Sequence, residues 1–284
     1  MKKKEYLLFL LPCGIAMSLF LLVPLAMGIY YSFTDWNGLF NKWISFENYL
    51  NLFKDSTFKD SLLFTFKFTF VASLVVNIVA VSLALLVTRK QSKLNTLFRT
   101  FFFMPNLIGG IILGFIWQFI FIRAFSAIAD MTGVQLFDGW LSNASTGFWG
   151  LIILFVWQMA GYMMVIYISF LNNIPDEIIE AADIDGANGW TKFWKIKVPM
   201  IMPAFTICLF LTLSNAFKIY DQNLALTNGG PYNSTQMVSM NIYNEAFQMR
   251  NMGYAQAKAV VFLIIIIFVS AIQLKITSSK ETQL

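Results

Sequence analysis

The residues of this chain with the most potential for chemistry lie in one polar stretch, Glu180 to Pro199, which reads EAADIDGANGWTKFWKIKVP. It carries three acids, three lysines and two tryptophans. The chain has no histidine, and its two cysteines, Cys13 and Cys208, lie in apolar runs. The commonest general base and the usual metal-ligand clusters are therefore missing from the sequence. We expect neither an enzyme nor a metal site.

The segments around this stretch have the composition of a membrane protein. Hydrophobic residues make up 58% of the chain and charged residues 12%, whereas soluble domains carry about 25% charged residues. A bilayer core of about 30 Å is crossed by roughly 20 apolar residues in a helix. We predict an all-α integral membrane protein with six transmembrane helices: Tyr6–Tyr31, Ser61–Val87, Phe101–Ile122, Phe148–Leu171, Met200–Tyr220 and Ala257–Ile276.

The distribution of lysine and arginine predicts the orientation. If the N-terminus is cytoplasmic, most basic residues outside the spans fall in cytoplasmic segments, among them Lys2, Arg89, Lys90 and Lys280. This is the bias of the positive-inside rule. Both termini and the polar stretch are therefore predicted to be cytoplasmic, and the net charge of +5 gives no reason to expect a nucleic-acid partner.

The polar stretch and the residues before it have the signals of two short helices. Pro175 suits the first helical position, and Asp176 lies where the helix dipole favours negative charge. Gly186 interrupts the helical pattern, and Trp190 and Trp194 then share one face of a second helix. The residues alone leave two interpretations open: a contact surface for a partner, or an amphipathic interfacial connector between two spans.

A resemblance favours the first interpretation. The stretch resembles the E-A-A loop of ABC importer permeases, whose pattern is E-A-A, three residues, Gly, nine residues, Ile, one residue, Leu-Pro. This chain departs from it only by valine in place of leucine before Pro199. The resemblance implies the type I permease fold, with residues 173–199 as the loop seated in a cleft of a separate ATPase. It assigns ATPase coupling to Glu180, Ala181, Ala182, Asp185, Gly186, Ile196 and Pro199.

A second stretch, on the predicted outer side, is similar to a branch of the same family. It runs SNAFKIYDQNLALTNGGP and ends in a turn formed by Gly229, Gly230 and Pro231. It resembles the branch that imports maltose-type oligosaccharides and glycerol-phosphate compounds. The resemblance implies a heterodimer of two permeases, a pair of ABC ATPases and an extracytoplasmic solute-binding protein. By itself, Gly-Gly-Pro is an ordinary turn sequence.

Polar residues within the spans are candidates for a solute pathway, because a sugar needs hydrogen-bonding groups and aromatic faces. The candidates are Asn77, Asn106, Trp157, Gln158, Tyr162, Ser214, Asn215, Lys218, Tyr220 and Asp221. Lys218 and Asp221, three residues apart, form either a local ion pair or a polar wall of the pathway.

Two other features are interpreted as structural. Lys67 and Lys258 lie near span ends, so we expect their side chains to snorkel to the interface. Gly110 and Gly114 form a small-residue face suited to close helix packing.

These observations predict the transmembrane subunit of an ATP-driven sugar importer in the plasma membrane of a prokaryote, working by alternating access. Residues 1–60 are assigned to an N-terminal helix and first outer loop, and residues 61–284 to a five-helix permease core. No GxxxxGK[ST] phosphate loop occurs, so we expect no cofactor on this chain and ATP on the partner subunit. The alternative is an ion-coupled secondary transporter that uses Lys218 and Asp221, although such proteins often have more spans.

Overall fold

The structure, a computed structural model, describes residues 3–88 and 93–279. Lys2, Arg89, Lys90 and Lys280, which contribute to the predicted orientation, lie outside the described residues. Within the described ranges, β-structure is limited to one isolated antiparallel bridge between Thr34 and Trp43. The predicted all-α class is confirmed.

Fifteen α-helices are described, and they are numbered here in chain order. They are α1 Lys3–Met17, α2 Val23–Tyr31, α3 Glu47–Leu52, α4 Ser56–Thr88, α5 Lys93–Phe103, α6 Gly110–Phe119, α7 Phe125–Thr132, α8 Ala144–Leu171, α9 Asp176–Ile184, α10 Gly189–Lys192, α11 Val198–Met200, α12 Met202–Phe217, α13 Asp221–Leu226, α14 Val238–Tyr243 and α15 Met252–Ser278. Turns of π-helix occupy Ser18–Leu22, Ile120–Ala124, Phe193–Lys197 and Asn244–Gln248, and 3₁₀ turns occupy Met104–Leu107 and Gln135–Phe137.

Five helical segments of the described chain are long and apolar enough to cross a membrane. They are Leu10–Tyr31, Ser56–Thr88, Gly110–Thr132, Ala144–Leu171 and Met252–Ser278. A sixth span is formed if Gly189–Met200 and Met202–Phe217, which meet at a bend of 68°, are counted together. The six apolar runs of the sequence thus correspond to these segments, with two corrections to their bounds.

The third predicted span was placed incorrectly at both ends, since the helical segment runs from Gly110 to Thr132, and the fifth was placed incorrectly at its C-terminal end. Phe101 belongs to α5, and a 3₁₀ turn at Met104–Leu107 separates α5 from α6. Pro105 lies in this turn, where its missing N–H and fixed φ disfavour a continuous helix. The fifth span ends at Phe217, and Asp221 begins a separate helix, α13.

The chain divides into two compact units, each described here by itself. The smaller unit falls within Met1–Lys59 and Asn241–Ile265, and the larger within Asp60–Met240 and Ile266–Leu284. The core of the larger unit includes the fully buried Phe68 and Tyr167, and the ring of Phe68 meets that of Phe155 edge-on at 5.5 Å. The division at residue 60 made from the sequence stays a prediction.

Glycines allow helices of the larger unit to approach closely. A Cβ added at Gly114 would lie 2.5 Å from the Cβ of Ala225 on α13, and one at Gly110 would lie 2.8 Å from the Cβ of Asp221. The predicted packing role of these glycines is confirmed. Gly161 on α8 has the same role without having been predicted, since a Cβ there would collide with the backbone oxygen of Phe102 on α5.

Candidate functional site: an elbow and two polar clusters

The polar stretch forms two short helical arms that meet at a glycine, and we call residues 175–199 the elbow. Its first arm, α9, begins after Pro175, which lies at the N-cap position rather than at the predicted first helical position. The helix ends at Ile184 with Asp185 as its C-cap residue, and Gly186 follows with φ of +75°. A side chain with a Cβ strains this left-handed conformation, so the sequence specifies glycine at the turn for a backbone reason.

The second arm is held by local hydrogen bonds. The side-chain oxygen of Asn188 caps α10 by accepting from the N–H of Thr191 at 2.8 Å. An ion pair between Lys192 and Asp183, 2.5 Å apart, joins this arm to the first. Ile196 lies in the π-helical turn and Pro199 in α11. The elbow therefore has its own helix cap, an ion pair between its two arms and a glycine at its turn.

The elbow exposes apolar side chains beside its charges. Ile184 is 88% exposed and Trp190 is 72% exposed. Large apolar side chains in a polar segment are typical of a protein contact surface. The predicted coupling residues Glu180, Ala181, Asp185 and Gly186 are exposed, whereas Ala182, Ile196 and Pro199 are partly buried.

The predicted outer turn has the expected backbone conformation. Gly229 has φ of +76°, and the Gly230–Pro231 bond is cis. Thr235 donates to the carbonyl of Gly230 at 2.7 Å. The turn is organised by Asn223, which is fully buried, donates to the carbonyl of Thr235 at 2.8 Å and accepts from the N–H of Met237 at 3.1 Å. Sequence reasoning missed Asn223, because its bonding partners lie 12 and 14 residues further along the chain.

The first polar cluster surrounds Asn77, which is 4% exposed. The Asn77 side chain donates to the carbonyl of Ser73 at 2.8 Å and to Oγ1 of Thr212 at 3.1 Å. It accepts from the hydroxyl of Tyr167 at 2.7 Å. The amide thus links α4, α8 and α12, and three hydrogen bonds compensate its burial.

Asn77 and Tyr167 also line a groove of about 590 Å³. The elbow residues Phe193 and Trp194 contribute to the same groove, and its walls are mostly apolar. The groove is thus bordered by residues of both the elbow and the first polar cluster.

The second polar cluster joins two glutamines. Gln222 on α13 donates to the side-chain oxygen of Gln158 at 2.8 Å, and Gln158 on α8 donates to the carbonyl of Ile108 at 3.4 Å. Gln158 is 8% exposed. Gln222 was absent from the sequence-predicted set, although it directly follows Asp221.

The other predicted pathway residues are more dispersed. Trp157 is 41% exposed and meets the Trp117 ring at 5.6 Å, and the Tyr162 ring lies 6.3 Å from that of Phe103. Asn106 lies in the 3₁₀ turn, and Ser214 is partly buried on α12. Asn215 is exposed and donates to the carbonyl of Leu211 at 2.8 Å.

The proposed helical pairing of Lys218 with Asp221 is not present. Lys218 caps the end of α12, Tyr220 precedes α13 and Asp221 is the first residue of α13, so the two charges are not on one helix. Both side chains are exposed, and among the described residues no ion pair joins them. The helix spacing assumed from the sequence fails at the break after Phe217.

The snorkelling prediction is wrong for Lys258. Its side chain is 1% exposed and forms ion pairs at 2.8 Å with both Asp55 and Glu245. It also donates to Asn241 at 3.0 Å. Lys67, by contrast, is exposed and lies 4.9 Å above the ring of Phe148. The difference is that Lys258 has two acidic partners, and one of them, Asp55, comes from a distant part of the sequence.

The ion pairs also affect Asp55 itself. Burial raises the pKa of the Asp55 carboxyl, but the hydrogen bond from Lys258, the N–H of Phe58 and the hydroxyl of Tyr254 together outweigh burial. The net pKa is lowered from its ordinary value of 3.8. Asp55 is therefore a carboxylate held in its charged form.

With this geometry in view, comparison with known proteins identifies the chain. Residues 76–279 match the sequence profile of the binding-protein-dependent transport system inner membrane component family. The chain belongs to this family. It is also 49% identical over 280 residues to the probable starch degradation products transport system permease protein of Thermoanaerobacterium thermosulfurigenes. This alignment covers 98% of this chain and 96% of that protein. The multiple sugar-binding transport system permease protein of Streptococcus mutans is 32% identical over 96% of this chain and 95% of its own length.

The fold agrees with this assignment. A chain from the crystal structure of a bacterial ABC transporter involved in the import of the acidic polysaccharide alginate matches with a TM-score of 0.81. The match covers 97% of each chain at 22% identity. The predicted permease fold is thus confirmed, and so is the assignment to membrane transport rather than to an enzyme. The family is one of inner membrane components that depend on a binding protein, so the ion-coupled alternative is set aside.

Proposed function

We propose that this chain is one permease subunit of an ATP-driven importer for oligosaccharides, with starch-derived glucose chains as the first substrate class to test. The similarity to a probable starch degradation products permease, 49% over nearly the whole chain, supports this substrate class. The second similarity, to a multiple sugar-binding transport permease, supports sugars in general.

The observation that carries the proposal is the elbow. It exposes Ile184 and Trp190 on a segment fixed by Gly186 and by the Lys192–Asp183 ion pair. A rigid surface can transmit a displacement, whereas a flexible connector would absorb it. Glu180 to Gly186 would seat in a cleft of an ABC ATPase, and closure of the ATPase pair would move the elbow.

The elbow displacement then has a path to the membrane core. Phe193 and Trp194 line the groove that also contains Asn77 and Tyr167. Movement of the second arm would shift α12 against α4 and α8 and change access to a central pathway. The free energy of ATP hydrolysis would thus be delivered at the elbow, and access of the solute would change at the central pathway.

The two polar clusters provide the chemistry for a sugar. Amide groups such as those of Gln158 and Gln222 can donate hydrogen bonds to sugar hydroxyls and accept hydrogen bonds from them. Exposed rings such as that of Trp157 offer an apolar face to the sugar ring. The outer turn at Gly229–Pro231 would lie beside a docked binding protein.

The complete importer would contain further chains. We propose a second, related permease forming a heterodimer, a pair of ABC ATPases that bind ATP, and an extracytoplasmic solute-binding protein. This chain would need no cofactor of its own, no metal and no nucleic acid, and it would lie in the plasma membrane of a prokaryote with both termini cytoplasmic.

The test is a reconstitution of this chain with its candidate partners, followed by uptake of labelled maltotriose and by copurification with a tagged ATPase. Wild-type protein should copurify with the ATPase and import the sugar when ATP and binding protein are present. Glu180→Arg should lose copurification and uptake while remaining inserted, whereas Asp130→Arg, an exposed acid on α7, should retain both. Wild-type uptake that is independent of the ATPase would contradict the proposal.

A further inference from the structure

A polar pocket in the smaller unit has no role in the transport scheme above. It has a volume of about 270 Å³ and is lined mainly by polar groups, including Asp35, Trp36, Glu47, Asn48, Asn51 and Tyr254. These residues come from the first outer loop, from α3 and from the start of α15. On the predicted orientation the pocket opens outside the membrane.

The backbone that forms one wall of the pocket is tightly fixed. The N–H of Gly253 donates to the carbonyl of Trp36 at 2.8 Å, and a Cβ at Gly253 would collide with the backbone oxygen of Thr34. The loop can lie this close to α15 only because residue 253 is glycine. The Trp36 ring is stacked on Tyr31, with ring centres 4.3 Å apart. The indole is therefore pre-positioned rather than mobile.

The polar groups of the pocket have unused hydrogen-bonding capacity. Asn48 is 6% exposed, and its amide hydrogens are used on the carbonyls of Ser32, at 2.9 Å, and Thr34, at 2.8 Å. Its side-chain oxygen accepts no hydrogen bond from any residue that the structure describes. Glu47 and Asn51 are exposed, and Glu47 takes part in none of the ion pairs of the described chain. The Asn48 oxygen is not among the buried polar atoms of the described chain that lack a partner, so it is open to solvent or to a ligand, as are the exposed side chains of Glu47 and Asn51.

A second wall is anchored to the buried charges of this unit. The hydroxyl of Tyr254 donates to Asp55 at 3.0 Å, and Asp55 is paired with Lys258. Within residues 3–88 and 93–279, the tyrosine oxygen donates this bond and accepts none, so its lone pairs can accept one from a ligand. The pocket thus combines carboxylates, amides, a hydroxyl and an oriented indole.

We propose that this pocket binds one sugar ring of an oligosaccharide, as an accessory site outside the translocation pathway. Asp35, Glu47 and the Asn48 oxygen would accept hydrogen bonds from sugar hydroxyls, Asn51 would donate, and Trp36 would contact a C–H face. The volume is just below the roughly 300 Å³ at which pockets for larger ligands begin, which suits a single ring. A hard cation such as calcium is less well matched, because it needs six to eight oxygen ligands, and one oxygen of Asp35 already accepts from the N–H of Lys42.

The proposal rests on the proposed function for the identity of the sugar, and equilibrium dialysis of labelled maltotriose tests it. The assembled transporter is held in nanodiscs without its binding protein. Wild-type assembly should bind the sugar at a site that the Glu47→Gln, Asn51→Leu double variant weakens about tenfold or more. Asp130→Asn is the control, since it also neutralises an exposed acid but lies on α7, outside the pocket. It should bind as the wild type does.

Uptake measured on the same assemblies separates the two proposals. If wild type imports maltotriose but the double variant binds it as tightly as Asp130→Asn does, the pocket is overturned and the importer stands. If binding at the pocket requires calcium and is abolished by chelation, the site is a cation site and the proposal is wrong. If wild type imports no maltotriose, the proposed substrate is wrong, whereas weaker dialysis binding in the double variant but not in Asp130→Asn would still support the pocket.

Discussion

Replacing Lys258 by methionine is the most direct test of the structure. Lys258 is 1% exposed and holds two carboxylates, Asp55 and Glu245, each at 2.8 Å. Methionine is similar in length and shape but carries no charge, so the variant leaves two like charges close together without a counter-charge. Removing one partner of a buried ion pair costs about 3–5 kcal/mol.

This loss should be visible in thermal unfolding of the purified protein in detergent. A loss of 1 kcal/mol lowers Tm by about 2–4 °C in a chain of this size class, so Lys258→Met should lower Tm by roughly 6–20 °C. Lys67→Met is the matched control. Lys67 is exposed above the Phe148 ring, and such a contact contributes only about 0.5–1 kcal/mol.

A triple variant tests whether the two unpaired carboxylates cause the loss of Tm. Adding Asp55→Asn and Glu245→Gln to Lys258→Met removes the two charges and should recover most of the lost Tm. Replacing buried ion groups by neutral ones of similar shape is often close to neutral in stability. Equal, small shifts for Lys258→Met and Lys67→Met would show that Lys258 reaches solvent, and the reasoning from the buried ion pairs would then be refuted.

Four further predictions concern the elbow, the helix packing, the solute pathway and pH. Gly186→Ala places a Cβ at φ of +75°, at a local cost of about 1–2 kcal/mol, and should reduce ATP-coupled uptake. Gly189→Ala is the control and should leave uptake unchanged, because Gly189 lacks a positive φ and has free space for a Cβ. Gly114→Ala should lower Tm, because the new Cβ would lie 2.5 Å from that of Ala225. The exposed Asn215→Leu should leave Tm unchanged and alter the apparent KM for uptake, and an unchanged KM would remove α12 from the pathway. Because the pKa of Asp55 is lowered in the fold, its contribution to stability is present above the ordinary pKa of 3.8 and is lost as pH falls through the lower, folded-state pKa. Tm measured against pH should therefore fall below about pH 4 in the wild type. The Asp55→Asn variant should lack this acid-dependent loss.

The sequence determined the features that depend on composition and local spacing. Apolar runs long enough for a bilayer predicted the spans, since helix length and hydropathy are properties of a continuous segment. The prediction of the elbow also depended on local signals. Gly186 follows the end of α9 because a left-handed residue is needed there, and the acids at the start of α9 suit the helix dipole. The Gly110–Gly114 face was also predicted correctly, although its partner helix α13 was not.

Only the tertiary structure decided which distant groups meet. Lys258 lies near the end of a predicted span, as a snorkelling residue does. In the fold, however, it pairs with Asp55, about two hundred positions earlier in the chain, and this ion pair makes burial of the ammonium group tolerable. The same holds for Asn77 with Tyr167 and Thr212, and for Gln158 with Gln222, whose hydrogen bonds join separate helices. The Lys218–Asp221 pair failed for the opposite reason, because a break after Phe217 separated two charges that regular helical spacing would have brought together. A local pattern specifies which groups could bond, but burial and long-range packing select the partners that they have.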